Sequence, residues 1–115
     1  GQGSQDRKSE QITLEWIQSS LATGDRVVIE VIEELGYYTG IGIANMMTVL
    51  FSDYVVLGGP MFHKLDQFYN IVVKTATERL NGLYPGYDIR FRKGKLGENA
   101  TAIGAGSMVF DHYLN

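Results

Sequence analysis

From Leu35 to Ser52 the chain carries no charged residue, and this run limits the possible folds more than any other feature of the sequence. Crossing a bilayer takes about 20 predominantly apolar residues. Here the run is interrupted by Gly36, Gly40 and Gly42, contains Thr39, Asn45 and Thr48, and meets Asp53 at once. It therefore reads as a buried core helix and not as a membrane segment. Upstream, Val28, Val31, Ile32 and Leu35 recur at helical spacing, with Arg26, Glu30, Glu33 and Glu34 mostly on the other side, so a single long helix is predicted through both stretches. Glycine lowers helix propensity by about 1 kcal/mol per site. A helix that keeps several has something packed close to its backbone. Asp25 is placed to cap this helix. Gly24 is placed to end a shorter one that Thr13 caps and that runs through Trp16, Ile17 and Leu21.

Downstream, Tyr54-Val55-Val56-Leu57 is an unbroken β-favouring run ending in Gly58-Gly59-Pro60. It predicts a strand buried on both faces, as in a parallel sheet, followed by a sharp loop. Leu65, Phe68, Tyr69, Val72, Ala76 and Leu80 predict another helix, ended by Asn81-Gly82 and Pro85-Gly86. In Asp88-Ile89-Arg90-Phe91-Arg92 the apolar residues alternate with the arginines, which predicts a half-exposed edge strand. Asn99 is placed to cap a last helix through Ile103, Met108, Val109 and Tyr113. Helices alternating with strands imply an α/β fold with a parallel sheet. Two strands are few for such a sheet, so further strands are expected from upstream or from another chain.

The 115 residues, 44% hydrophobic, suffice for one small core and not for two domains. Residues 1–9, opening Gly1-Gln2-Gly3-Ser4, read as a tag remnant and a polar, disordered lead, and residues 10–115 as one domain. A formal charge of −3 leaves no basic surplus to hold a nucleic-acid backbone. The absence of cysteine excludes disulfides, thiolate metal sites and a cysteine nucleophile, and fits a reducing cytoplasm.

Few residues carry candidate chemistry. Gly40-Ile41-Gly42-Ile43-Ala44-Asn45 lacks the third glycine of a dinucleotide fingerprint and lies in a predicted helix, so close packing is the better reading. Gly58 and Gly59 follow a buried strand, where ligands of α/β sheets lie against the backbone; a plain turn is the alternative. His63 and His112 have no companion at metal-ligand spacing, and no Ser/His/Asp set stands out. Glu30, Glu33 and Glu34 form a solvated helix face. Arg90, Arg92, Lys93 and Lys95 form a small basic cluster on the edge strand. Gly104, Ala105 and Gly106 imply close packing of the last helix, and the sequon at Asn99 is accidental.

Taken together, Gly40 to Met47, Asp53 to Gly59, Leu96 to Ala100 and Ile103 to Ala105, with the Gly24-Asp25 helix start, resemble in order and spacing the C-terminal end of ROK proteins (repressor, open reading frame, kinase). The resemblance covers residues 10–115. It implies part of an actin/hexokinase-like, ribonuclease H-like fold, in which a few-stranded sheet packs with helices and a cleft lies between two α/β domains. Kinase members bind a sugar, ATP and magnesium there. The resemblance also implies that Gly58, Gly59 and Pro60 match the loop approaching the adenosine of ATP, and that Gly104, Ala105 and Gly106 match a helix packed at the interdomain hinge. The family's Asp-x-Gly-Gly-Thr phosphate loop and cysteine-rich zinc motif are absent here. Its catalytic aspartate and most sugar contacts belong to the missing half. The chain is accordingly expected to be a C-terminal piece with no catalytic residue, metal or cofactor of its own, unable to phosphorylate a sugar alone.

Two departures concern the parent. Pro60 stands where a small residue is usual, fixing φ and removing an N–H that could face a ligand, and Thr101 stands where glycine is usual. Both weigh against tight ATP binding. The first expectation is therefore the C-terminal domain of a bacterial, cytoplasmic, sugar-responsive transcriptional regulator of the ROK type, dimeric, touching DNA only through an upstream domain and touching no membrane. The alternative is the C-terminal domain of an ATP-dependent ROK sugar kinase. A stand-alone interaction module is a third reading.

Overall fold

The structure, a computed structural model, describes residues 13–95 and, for the backbone, residues 101–103 and 108–109. Helix α1 occupies residues 13–22. Thr13 is already helical, so it does not act as the cap. Gly24 takes φ +81°, its N–H donates to the Leu21 carbonyl and the Asp25 N–H donates to the Ser20 carbonyl. These are the two bonds of a left-handed glycine terminator. One residue on, the Asp25 carboxylate accepts from the N–H groups of Val27 and Val28 and starts α2, Arg26–Leu50. The chain thus turns from one helix into the next through a glycine and a cap that the sequence already displayed.

Helix α2 packs alongside α4, Asp66–Leu83, and two glycines set how close they come. A Cβ on Gly36 would lie 2.7 Å from Ile71 Cγ2. One on Gly40 would lie 2.7 Å from Thr75 Cβ and 2.8 Å from the Val72 carbonyl oxygen. The expected close packing is present, and its partner is α4. Only one face of α2 is covered, however. Val28, Ile32, Ile43, Ala44 and Met47 are buried, while Val31 and Leu35, which the periodicity grouped with the core, are exposed. The reading of a wholly buried core helix is corrected to that extent.

Strand β1, Tyr54–Leu57, is buried from Val55 onward, as expected. Val55 and Leu57 belong to the core formed with the helices, together with Met47, Leu65, Val72 and Leu80. The short α3, Pro60–Lys64, which the sequence reading did not separate, leads into α4 through Leu65. Leu65 leaves helical geometry (φ −113°, ψ 86°) and is buried. Asn81 and Gly82 do not end α4, which runs to Leu83; Pro85-Gly86 makes the turn, with Gly86 at φ +86°.

Strand β2, Arg90–Lys93, pairs parallel with β1 and forms the sheet edge, with Ile89 and Phe91 packed against the core. Among the described residues the last predicted helix is not found. Residues Thr101–Ile103 form β3 and Met108–Val109 form β4, in the order β2-β1-β3-β4, both added antiparallel. The sheet is therefore mixed and not all parallel. With β2 on one side only, β1 would leave a row of N–H and C=O groups unpaired in a buried strand, which is costly. Thr101-Ala102-Ile103 meets that demand, whereas Gly104 and Gly106 penalise a helix.

Candidate functional site

Chain direction leaves β1 at Gly58, and Gly59 makes the corner. Its φ of 106° and ψ of 165° lie in a region that only glycine occupies without strain. Pro60 follows as the first residue of α3. Proline is favoured there because the first N–H of a helix has no partner in any case. Its role in this turn is thus to start a helix, and the N–H it removes is one that a helix start leaves open. The Gly59 carbonyl accepts from the His63 N–H at 3.1 Å, fixing the turn from its far side.

Beside this turn lies an open groove of about 570 Å³. One wall is α2, through Leu35, Thr39, Gly42, Ile43 and Met46; the other is the turn and α3, through Gly58 to Phe62, with Phe68 contributed by α4. None of these residues is charged, and Thr39 has the only polar side chain among them. The groove fits an apolar, weakly polar body, and its lining holds no cation for a phosphate. Gly58, Gly59 and Pro60 are thus brought together on the wall of a groove. The α2 wall was not anticipated, although residues 35, 39, 42 and 46 share a helical spacing that a second apolar face would produce.

The basic residues of β2 are largely spoken for within the fold. The Lys93 ammonium pairs with the Asp66 carboxylate at 2.5 Å and stands 5.1 Å from the centre of the Tyr69 ring. Burial pushes the Tyr69 phenol above its ordinary pKa, and the Lys93 charge opposes that shift. Arg92 Nε donates to the Tyr54 hydroxyl at 3.1 Å, and its Nη1 to the Lys93 carbonyl at 3.0 Å. These contacts tie the edge strand to β1 and α4. Glu30, Glu33 and Glu34 are exposed, as expected. His63 Nε2 is buried without a hydrogen-bond partner, and no group of acidic or histidine side chains able to hold a metal occurs among the described residues. Nor, among those residues, is any helix long and apolar enough to cross a membrane. His112, Asn99 and the Gly104, Ala105, Gly106 segment lie outside the described residues.

The model of the ROK family matches residues 2–112. Among curated proteins, the chain is similar to the xylose repressor of Bacillus spizizenii, 25% identical over 89 residues, and to that of Bacillus subtilis, 25% identical over 87 residues. In each case the match takes in 76% of this chain and 22% of the relative, so the chain spans only about a fifth of the relatives' length. No solved structure matches it. Nearly the whole sequence fits one family model, and the described residues form the helix-dominated, few-stranded α/β arrangement expected of part of such a domain; the chain belongs to the ROK family, within the actin/hexokinase-like ATPase superfamily.

Proposed function

We propose that this chain is the C-terminal part of the sugar-sensing body of a ROK-type transcriptional regulator. The observation that carries the reading is that both curated relatives are xylose repressors, matched over 76% of this chain. Two features of the site support it. The groove beside Gly58 and Gly59 is lined without charge, and Pro60 begins a helix at the point where an ATP-binding loop would continue in small residues. In this reading a sugar bound elsewhere in the parent changes the arrangement of its domains, and the geometry of a dimer then alters operator affinity. DNA contacts come from an upstream domain, and the parent acts in the cytoplasm.

The alternative is a ROK sugar kinase, in which Gly58, Gly59 and Pro60 would lie against the adenosine of ATP and magnesium would serve the phosphates upstream. What favours it is the position of the glycine pair, beyond the carboxyl end of a parallel-paired strand. The two readings separate in the full-length polypeptide. A gel-shift titration on DNA from its own promoter region, with and without xylose, is expected to show sugar-dependent release. The same preparation is expected to transfer no phosphate from ATP to xylose, glucose or fructose. ATP-dependent phosphorylation without DNA binding would replace the regulator by the kinase.

A further inference from the structure

The fold makes no use of the Asn81-Gly82 pair. It does not end α4, which runs to Leu83. Nor does the backbone call for this glycine: a Cβ on Gly82 would meet nothing within 4 Å, and its φ is not positive. A helical glycine costs about 1 kcal/mol relative to alanine, so the pair weakens the last turn of α4 without a compensating contact. That turn is anchored at a single buried side chain. Leu80 is 1% exposed and its carbonyl accepts from the Tyr84 N–H at 2.7 Å, whereas residues 81–86 are all exposed. A helix end with so little buried opens at low cost.

We propose that Asn81 is a site of spontaneous, irreversible modification: when the last turn of α4 opens, the Gly82 backbone nitrogen attacks the Asn81 side-chain carbonyl and the residue becomes isoaspartate. The bond from Gly82 N to Asn81 Cγ forms and the bond from Cγ to Nδ2 breaks. The Gly82 amide proton leaves with Nδ2 as ammonia, and a five-membered succinimide remains. Water then opens the ring. Addition at the Asn81 main-chain carbonyl breaks its bond to Gly82 N and leaves the chain running through Cβ, as isoaspartate; addition at Cγ gives aspartate. No partner, metal or oxidant is needed. Glycine is the successor that permits the attack, because no side chain blocks the approach and its backbone reaches the required geometry. In the closed helix the Gly82 N–H is held by the carbonyl four residues back, so the rate follows the opening of this turn.

The other described asparagines lack both conditions. Asn70 lies inside α4 and precedes the β-branched Ile71, which packs against Gly36. Asn45 lies inside α2 before Met46, and its Oδ1 accepts from Arg79 Nε at 3.3 Å. The product also acts on the fold. It sets a carboxylate at the negative end of α4, one turn beyond Glu78. The extra backbone methylene of isoaspartate spoils the turn that the Leu80–Tyr84 bond closes. Just beyond, Tyr87 donates to the Ser52 carbonyl, so the join between α4 and the sheet edge is where the damage falls.

The test is to hold the folded chain in neutral buffer for weeks and to sample it by peptide mapping with mass spectrometry and by enzymatic methylation of isoaspartate. Exchange of ammonia for water is expected at Asn81, ahead of Asn45 and Asn70, with isoaspartate in excess over aspartate. The thermal midpoint is expected to fall as the product accumulates. Gly82→Ala is expected to keep the fold, with an unchanged or raised midpoint, and to convert several-fold more slowly. Asn81→Gln, whose ring would need six members, is expected to stay unmodified. An Asn81 that survives in the folded chain while the urea-unfolded chain converts would show that the helix end stays closed, and overturns the proposal. So does conversion as fast in Gly82→Ala, or conversion to aspartate alone, since either means direct hydrolysis of the side chain. None of these outcomes bears on whether the parent is a regulator or a kinase.

Discussion

Gly40 and Thr75 leave no space between the two long helices: a Cβ on Gly40 would sit 2.7 Å from the Thr75 Cβ, with the Val72 carbonyl oxygen at 2.8 Å. Backbone cannot yield as a side-chain tip can. Gly40→Ala is therefore expected to destabilise the chain by about 1–3 kcal/mol despite alanine's better helix propensity. Gly36→Ala, which meets only the Ile71 and Phe68 side chains, is expected to cost less. Urea denaturation of the two variants checks the order.

Gly59 tests the turn that carries the candidate site. At φ 106° and ψ 165° any side chain is strained, and Gly59→Ala is expected to lose about 1–3 kcal/mol. Gly58→Ala, with no such backbone requirement, is expected to lose less. A comparable loss at both positions would show that packing, not backbone geometry, decides this corner. Thermal melts of the two variants distinguish these outcomes.

At the end of α2 a phenylalanine does what glycine does at the end of α1. Phe51 is left-handed (φ 53°) and 92% exposed, and the Ser52 N–H reaches back to the Met47 carbonyl. Little burial is lost by removing the ring, so Phe51→Gly is expected to stabilise the chain by roughly 1 kcal/mol through relief of the left-handed conformation. A loss of stability in the same melt would show that the ring is covered in solution.

Tyr87 links pH to stability. Its phenol donates to the Ser52 carbonyl at 2.5 Å. Burial raises its pKa above the ordinary 10.0, and the nearby Asp53 and Tyr84 add to the shift. A proton held more tightly in the folded state gives stability that is full below about pH 10 and falls as pH rises beyond it. Tyr69, shifted in the same direction, adds to the effect. The urea midpoint is expected to drop above about pH 10, and Tyr87→Phe to flatten that drop while lowering the neutral-pH stability by about 1 kcal/mol.

Local chemistry made much of this chain legible in its sequence. The Gly24-Asp25 junction, the buried strand from Tyr54 and the edge strand with Ile89 and Phe91 facing inward depend on glycine conformation, a cap and alternation, all of which act between near neighbours. The order and spacing of the glycine blocks resemble those of the ROK family, whose model matches residues 2–112. What the tertiary structure decided lay between distant segments. Periodicity put Val28, Val31, Ile32 and Leu35 on one face of α2 but could not say where on that face α4 would press, and Val31 and Leu35 lie outside the covered strip. Gly36, Gly40 and Gly42 look alike in the sequence, yet two lie under α4 and one opens to the groove. Thr101 to Ile103 became a strand and not a helix because β1 offered an unpaired edge, a demand set some 45 residues earlier that local propensity cannot register.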